Sequence, residues 1–123
     1  MAAQAQSARV VNLSPVLTIV VPTFNELDNI KPLIVSLDAA LPNVRWEVMF
    51  VDDDSSDDTA EHIRGLARID PRVRCIQRIG RRGLSTACIE GVLGSSAPYV
   101  AVMDADLQHD ETLLPRMLEV LQN

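Results

Sequence analysis

The chain lacks any apolar run of the roughly 18–20 residues that a bilayer-spanning helix needs. It has only two cysteines, Cys75 and Cys88, and their spacing matches neither a zinc site nor a disulfide framework. Both lie in apolar patterns, so we expect reduced thiols in a protein core and a cytosolic setting. Residues 1–14 are small and polar and lack the apolar centre of a signal peptide. We therefore predict a flexible tail over residues 1–15, followed by a soluble domain that can still dock at a membrane surface.

Basic residues are also scarce. The net charge of −6 over 123 residues argues against a nucleic acid as the main partner. The only lysine is Lys31, inside the first predicted helix. A phosphoacceptor signalling module is therefore a poor match, because it needs an acidic pair after strand one and a lysine after strand five. The arginines concentrate late in the chain, at Arg72, Arg74, Arg78, Arg81 and Arg82. A solvated loop is the favoured interpretation of that cluster, and a phosphate-facing or lipid-facing edge is the alternative.

The remaining pattern alternates short apolar runs with segments of helical periodicity. The predicted strands are 17–21, 46–51, 73–77 and 99–103, and the predicted helices are 26–41, 58–69, 84–93 and 113–121. Asn25 is a natural cap for the first helix. Alternating strands and helices predict an α/β fold with a mostly parallel sheet and helices on both faces. Ligands of such sheets bind beyond the carboxyl ends of the strands.

Polar clusters follow strands one, two and four, and so fall on that edge. After strand one, Pro22 stiffens the loop, Phe24 offers a stacking surface and Glu26 offers a carboxylate, although a simply capped helix explains the same residues. After strand two, Asp53 could accept hydrogen bonds from a nucleobase or ribose. Asp52 and Asp54 compete with it, and spacing alone does not choose among them. Asp57 and Asp58 are predicted to cap the second helix.

The third cluster, after strand four, contains Asp104 and Asp106. In an extended chain, residues two apart point to the same side. Two carboxylates held that close repel each other, and a hard divalent cation relieves the repulsion and can in turn hold a phosphate group. In isolation, an acidic solvated loop is the favoured explanation; the shared edge favours a metal-assisted phosphate site.

Four segments together resemble one protein family. Residues 20–26 (VVPTFNE), 51–57 (VDDDSSD), 82–87 (RGLSTA) and 103–109 (MDADLQH) are similar to the motifs of inverting family 2 glycosyltransferases with the GT-A fold. The match is closest to dolichyl- or polyprenyl-phosphate mannose (or glucose) synthases. The resemblance implies that residues 16–123 form the Rossmann-like, nucleotide-sugar-binding half of a truncated GT-A domain.

The resemblance also implies roles for individual residues. Eight would bind the nucleotide-sugar: Pro22, Phe24 and Glu26 around the nucleoside, Val51 and Asp53 at the base and ribose, and Asp104, Ala105 and Asp106 at the diphosphate. Three oxygen ligands, from Asp104, Asp106 and Gln108, would hold Mg²⁺ or Mn²⁺. The family usually has glycine where this chain has Asp54, and glycine permits a left-handed backbone there.

The same resemblance favours GDP-mannose as donor, with UDP-glucose next, and a polyprenyl or dolichyl phosphate as acceptor. It places the full-length protein in the cytoplasm at the cytoplasmic face of a membrane. No residue of this chain is a secure catalytic base, so we expect the base to lie outside it and the isolated chain to bind its donor weakly without turnover. If this chain is half of a domain, the rest of its site is uncovered. We therefore expect an exposed apolar patch and self-association into homo-oligomers. The alternative is a non-catalytic nucleotide-binding or interaction domain derived from the same fold.

Overall fold

Strands and helices alternate along the chain in the predicted order. The computed structural model describes residues 14–106 and 113–122, so residues 1–13 of the predicted tail lie outside it. The elements are β1 (Leu17–Thr23), α1 (Leu27–Ala40), β2 (Trp46–Asp52), α2 (Thr59–Ala67), β3 (Val73–Gln77), α3 (Leu84–Leu93), β4 (Tyr99–Val102) and α4 (Leu113–Gln122). The predicted bounds of β3 and α3 match the structure, and the other elements differ by one or two residues at their ends.

The four strands form one sheet in the order β3-β2-β1-β4, with every neighbouring pair parallel. β1 is paired on both sides, to β2 and to β4. At the carboxyl edge, Thr23 of β1 is level with Asp52 of β2, and Asp52 is level with Gln77 of β3. This register brings the loops that follow β1, β2 and β3 to one height.

Alternate side chains of the central strands pack on opposite faces of the sheet. On one face, Ile19, Val21, Val48 and Phe50 share a core with Ile30, Leu33 and Leu37 of α1 and Ile63 of α2. On the other face, Val20, Met49 and Val51 pack against Ala87 of α3. Burial on both faces explains the nearly continuous apolar sequence of these strands. The predicted α/β class, with a parallel sheet and helices on both faces, is confirmed.

The predicted cap of α1 is wrong. The residue that precedes the helix is Glu26, which makes no side-chain cap hydrogen bond. Asn25 instead has a left-handed backbone (φ 54°), and its Oδ1 accepts a hydrogen bond from the backbone N–H of Ser56 at 3.0 Å. The side chain that would have capped its own helix therefore ties two loops together.

The structure also bears on membrane-spanning helices and on the state of the two cysteines. Among the described residues, no helix combines the length and the apolar character that crossing a membrane requires. Cys75 and Cys88 are both half-buried and unbridged. Burial, assisted by the negative charge of Asp52, raises the pKa of the Cys75 thiol to about 11.

Gly91 allows α3 to lie directly on the sheet. A Cβ atom at this position would stand 2.3 Å from Val20 Cγ1 and 3.1 Å from Val51 Cγ2. Both valines are fully buried in central strands and have no room to move aside.

We predict that Gly91→Ala lowers the free energy of unfolding by about 1–3 kcal/mol, because overpacking outweighs the better helix propensity of alanine. Gly65→Ala in α2 is the matched control. Nothing lies within 4 Å of its added Cβ, so we expect a gain of about 0.5–1 kcal/mol from propensity alone. Urea denaturation measures both, and equal effects of the two substitutions would refute this account of α3 packing.

Asp54 adopts a left-handed backbone conformation, which glycine would adopt without strain. Its φ is 56°, and its exposed carboxylate accepts a hydrogen bond from Gln77 Nε2 at 3.1 Å. Asp tolerates this region better than most residues with a Cβ, since its short polar side chain can bond locally.

We predict that Asp54→Gly is more stable than Asp54→Ala by about 1 kcal/mol. Both variants lose the carboxylate and its bond to Gln77, so the difference isolates the backbone conformation. Thermal denaturation of the two proteins side by side measures it. An alanine variant as stable as the glycine variant would show that this φ carries no strain.

Candidate functional site

A cavity of about 260 Å³ opens at the carboxyl ends of β1, β2 and β4. Its lining consists of Pro22, Thr23, Phe24, Glu26, Asp53, Leu84, Asp104, Ala105 and Asp106. Seven of the eight residues that the sequence predicts to bind a nucleotide-sugar are in this set. The structure therefore brings together side chains from three separate loops.

Val51 is the predicted residue that does not reach the cavity. Its side chain is fully buried and packs with Val20, Met49 and Ala87 beneath α3. Its neighbour two positions on, Asp53, does line the cavity. Val51 thus supports the strand that carries Asp53, and its side chain offers no surface to a ligand in the cavity.

The loops after β1 and β2 are hydrogen-bonded to each other along their length. The Asp53 N–H donates to Thr23 O at 3.0 Å, and the Asn25 N–H donates to Ser55 Oγ at 2.8 Å. The Glu26 N–H donates to Thr59 Oγ1 at 3.2 Å. These bonds hold the Phe24–Glu26 segment and Asp53 at fixed positions along the same rim.

Asp57 completes this connection between the loops. Its carboxylate accepts hydrogen bonds from the backbone N–H groups of Leu27 at 3.2 Å and Thr59 at 3.1 Å. It therefore serves the first turns of both α1 and α2, where N–H groups lack helical partners. The hydrogen bonds, with that from the Thr59 hydroxyl largest, lower the pKa of the Asp57 carboxyl below its usual value. Asp58 occupies the position before α2 but makes no side-chain cap bond, so the predicted capping role falls to Asp57.

The three consecutive aspartates after β2 have separate environments. Asp52 is fully buried and accepts hydrogen bonds from the hydroxyls of Thr23 and Ser55 at 2.7 and 2.6 Å. Asp54 turns toward Gln77 at the exposed surface. Only Asp53 of the three lines the cavity. The structure thus separates candidates that sequence spacing left equivalent.

Arg78 is the main feature of the site that the sequence did not reveal. It is 1% exposed and pairs with both oxygens of Asp53, Nε to Oδ1 at 2.6 Å and Nη2 to Oδ2 at 3.1 Å. Its interpretation as part of a solvated loop is wrong. One signal was available: Arg78 follows β3 at the register level just above the Asp52–Gln77 pair, next to the end of β2.

Arg82 and Leu84 are two further residues at the mouth of the cavity. Phe24 is 45% exposed, and the guanidinium of Arg82 lies over its ring at 4.7 Å from the centroid. Leu84, at the start of α3, lines the cavity with 64% of its surface exposed. The family resemblance of segment 82–87 implies no individual role for these two residues.

Asp104 and Asp106 reach the cavity by a route that differs from the predicted one. β4 ends at Val102, where the Met103 N–H still bonds to Val20 O at 3.0 Å, and the chain then turns. Asp104 is half-buried, Ala105 is 2% exposed, and Asp106 is exposed. The extended geometry assumed for this pair is therefore wrong, although both carboxylates line the same cavity.

The metal-ligand set can be examined only in part. Gln108, the expected third ligand, lies outside the described residues. Within 14–106 and 113–122, no three His, Cys, Asp or Glu side chains are grouped to hold a metal ion. Two carboxylates alone form an open site, in which a hard cation would take its remaining oxygen ligands from a ligand or from residues not described.

The charge of the cavity wall favours such a cation. Four carboxylates line it, those of Glu26, Asp53, Asp104 and Asp106, and of these Asp53 is neutralised by buried Arg78. A diphosphate entering this cavity would meet like charge. Oxygen donors are the ligands that Mg²⁺ and Mn²⁺ prefer, so the residues present fit a divalent ion of this type.

Two larger cavities have different chemistry. One, of about 540 Å³, lies at the opposite edge of the sheet and includes Pro15, Val44, Trp46 and Arg72 in its lining. The guanidinium of Arg72 covers the Trp46 ring at 4.3 Å. The other, of about 550 Å³, includes Arg78, Arg81 and Glu90 in its lining. Neither contains a predicted nucleotide-sugar-binding residue.

Comparison with known proteins identifies relatives of this chain. The chain is 39% identical over 106 residues to the dolichol-phosphate mannosyltransferase of Pyrococcus furiosus, covering 86% of this chain and 30% of that protein. It is 38% identical over 109 residues to the dolichol-phosphate mannosyltransferase of Saccharomyces cerevisiae, covering 86% and 41%. The chain thus spans less than half the length of these curated relatives.

Solved structures of other glycosyltransferases share this fold. A mannosyltransferase from Pyrobaculum calidifontis, solved with GDP-mannose and Mn²⁺, superimposes with a TM-score of 0.74 at 25% identity, over 89% of this chain and 33% of that one. Glucosyl-3-phosphoglycerate synthase from Mycobacterium tuberculosis, solved with Mn²⁺ and UDP, has the same fold with a TM-score of 0.67 at 21% identity, over 87% and 39%. The family model of glycosyl transferase family 2 matches residues 18–123, which is nearly the whole of this sequence, and the chain belongs to that family.

Proposed function

We propose that this chain is the donor-binding part of an inverting, metal-dependent glycosyltransferase. In this proposal the full protein transfers a sugar, mannose in the favoured case, from a nucleotide-diphosphate sugar to a polyprenyl or dolichyl phosphate. The observation that carries the proposal is the convergence of Phe24, Glu26, Asp53, Asp104 and Asp106 on one cavity in a chain of this family. The curated relatives named as dolichol-phosphate mannosyltransferases support the choice of sugar and acceptor.

The cavity wall suits a nucleoside on one side and a diphosphate on the other. Phe24 presents a half-exposed ring on which a base can stack. The carboxylate of Asp53, which is ion-paired with Arg78, accepts hydrogen bonds, so its partner must be an N–H or O–H of the base or ribose. Leu84 adds an apolar surface to the lining of the same cavity.

Asp104 and Asp106 would hold the divalent ion at the diphosphate side, with Gln108 as the expected third ligand. When bound, such an ion neutralises charge on the departing nucleoside diphosphate. Mn²⁺ in the structure of the Pyrobaculum calidifontis mannosyltransferase supports a divalent ion here, and Mg²⁺ has the same ligand preference. The protein's own contribution is to fix both carboxylates on a wall that β1 and β4 keep rigid.

We expect the acceptor site and the catalytic base of the full protein to lie outside this chain. A lipid phosphate acceptor would bring the full protein to the cytoplasmic face of a membrane, in the cytoplasm. The competing candidate is a non-catalytic nucleotide-binding domain. It shares the same cavity, and only a transfer assay on the full-length protein separates the two.

We predict that the chain binds GDP-mannose in the presence of Mn²⁺ or Mg²⁺, and that Asp104→Ala/Asp106→Ala weakens binding at least about tenfold, or about 1.4 kcal/mol. Omitting the metal should have the same effect on the wild-type protein, because the carboxylates repel the diphosphate without a cation. Isothermal titration calorimetry measures both, with GDP expected to bind more tightly than UDP.

The matched control is Asp28→Ala/Glu61→Ala, which removes the same charge from exposed sites outside the cavity. It should bind like the wild type. Wild-type-like affinity of the Asp104/Asp106 variant would refute the role of those residues. An absence of binding to GDP and UDP under every metal condition would refute the donor site itself.

A further inference from the structure

We infer that Arg78 is a positioning residue for the donor site, fixing Asp53 and the loop before α3 as one rigid wall of the cavity. This inference rests on the proposed donor site, because its readout is donor binding. Arg78 does not itself line the donor cavity. It acts from behind, on residues that do.

The first observation is the placement of a charged side chain in the interior. Arg78 is 1% exposed and is the largest fully buried side chain among the described residues. An arginine is almost never buried unless its charge is paired, and burial of an uncompensated charge is strongly unfavourable. Here the guanidinium forms an ion pair with Asp53, and Glu90 Oε2 lies 3.7 Å from Nε. Arg81 then pairs with the other oxygen of Glu90 at 3.1 Å, so the cluster of two arginines and two carboxylates is neutral.

The second observation is how completely the cavity-facing carboxylate is occupied from behind. Oδ1 of Asp53 accepts from Arg78 Nε, and Oδ2 accepts from both Arg78 Nη2 and the Gly83 N–H, the latter at 3.1 Å. A carboxylate has about four lone-pair sites, so these three bonds leave one for a ligand. Asp53 is thereby fixed in rotation and presents one acceptor position to the cavity.

The third observation is that the same guanidinium also holds the loop before α3. Nη2 donates to Gly83 O at 3.0 Å, and Nη1 donates to Thr86 Oγ1 at 2.8 Å. Gly83 has a φ of 133°, a conformation that a side chain would strain. Its two neighbours are Arg82, which covers Phe24, and Leu84, which lines the cavity. Arg78 thus connects three parts of the wall: Asp53, Leu84 and the Arg82–Phe24 pair.

Only the planar fork of arginine can make these bonds together. Lysine retains the charge but presents a single ammonium group, which cannot bridge both oxygens of Asp53 and also reach Gly83 and Thr86. Arg78→Lys therefore keeps the ion pair and removes the bridging geometry. This difference separates a positioning role from simple charge compensation.

The test measures affinity for GDP-mannose with Mn²⁺ by calorimetry, at a temperature where circular dichroism shows every variant folded. We expect Arg78→Lys to weaken binding about tenfold. The affinity for inorganic pyrophosphate with Mn²⁺ should stay within about twofold of wild type, because Asp104 and Asp106 are untouched. Thr86→Val, which removes one of the guanidinium's partners and should fold readily, is expected to weaken GDP-mannose binding about two- to threefold.

The matched control is Arg74→Lys. Arg74 also contacts a carboxylate and a backbone carbonyl, Glu47 Oε1 at 3.3 Å and Gly94 O at 3.1 Å, away from the cavity and with 43% of its side chain exposed. It should lower the melting temperature without changing the dissociation constant. If Arg78→Lys also lowers only the melting temperature, Arg78 is structural and the inference is wrong. If pyrophosphate binding falls as much as GDP-mannose binding, the effect is not local to Asp53 and the inference is again wrong. Failure of the wild-type protein to bind either ligand would instead overturn the proposed donor site, and this inference with it.

Discussion

The parallel pairing of β1 with β2 on one side and β4 on the other is the constraint on which the site depends. Each pairing fixes the height at which a strand ends, and the Thr23–Asp52 and Val20–Val102 levels place three loops around one opening. Parallel strands end at the same edge, so the residues that follow them must meet there. A one-residue slip of β4 would turn its core-facing side chains toward the opposite face of the sheet and carry Asp104 and Asp106 away from Asp53.

The cavity formed at that edge has an unusual balance of charge. Its wall is rich in carboxylates, and the basic residues nearby are already engaged: Arg78 is buried with Asp53, and Arg82 lies on Phe24. An anionic ligand is therefore not attracted by the wall itself. In the proposed function, a divalent cation would reconcile this acidic wall with a diphosphate. The carboxylates that would hold it, those of Asp104 and Asp106, follow the end of β4.

Much of this arrangement was predictable from sequence, and the exceptions have physical reasons. The strands were predictable because burial on both faces requires a continuous apolar run, as in residues 17–21. That Phe24 and the aspartates at 52–54 share one edge followed from their positions after neighbouring strands, whereas spacing did not choose Asp53 among the three aspartates. Arg78 was not predictable from composition, since a lone arginine in a basic segment has the same signature whether it is solvated or buried. Its burial depends on a partner 25 residues earlier in the chain.

Other misses follow from competition between local and tertiary bonds. Asn25 has the side chain of a helix cap, but the neighbouring loop offers it the Ser56 N–H instead. Asp104 and Asp106 were expected to share a side of an extended chain, yet the strand ends at Val102. They line one cavity because the chain turns there. A sequence pattern indicates the conformational preference of one segment. The final positions of these residues depend also on contacts with a second segment that the sheet brings alongside.

In the proposed function, a nucleotide-sugar binds at the carboxyl edge of the sheet. Amide chemical shifts in a ¹⁵N-labelled sample titrated with GDP-mannose and Mg²⁺, which does not broaden resonances, test it most directly. We expect the largest changes at residues 23–27, 53–54, 83–86 and 104–106, and no change around Trp46 and Arg72 at the opposite edge. Changes confined to that opposite edge, or no changes at saturating ligand, would contradict the account.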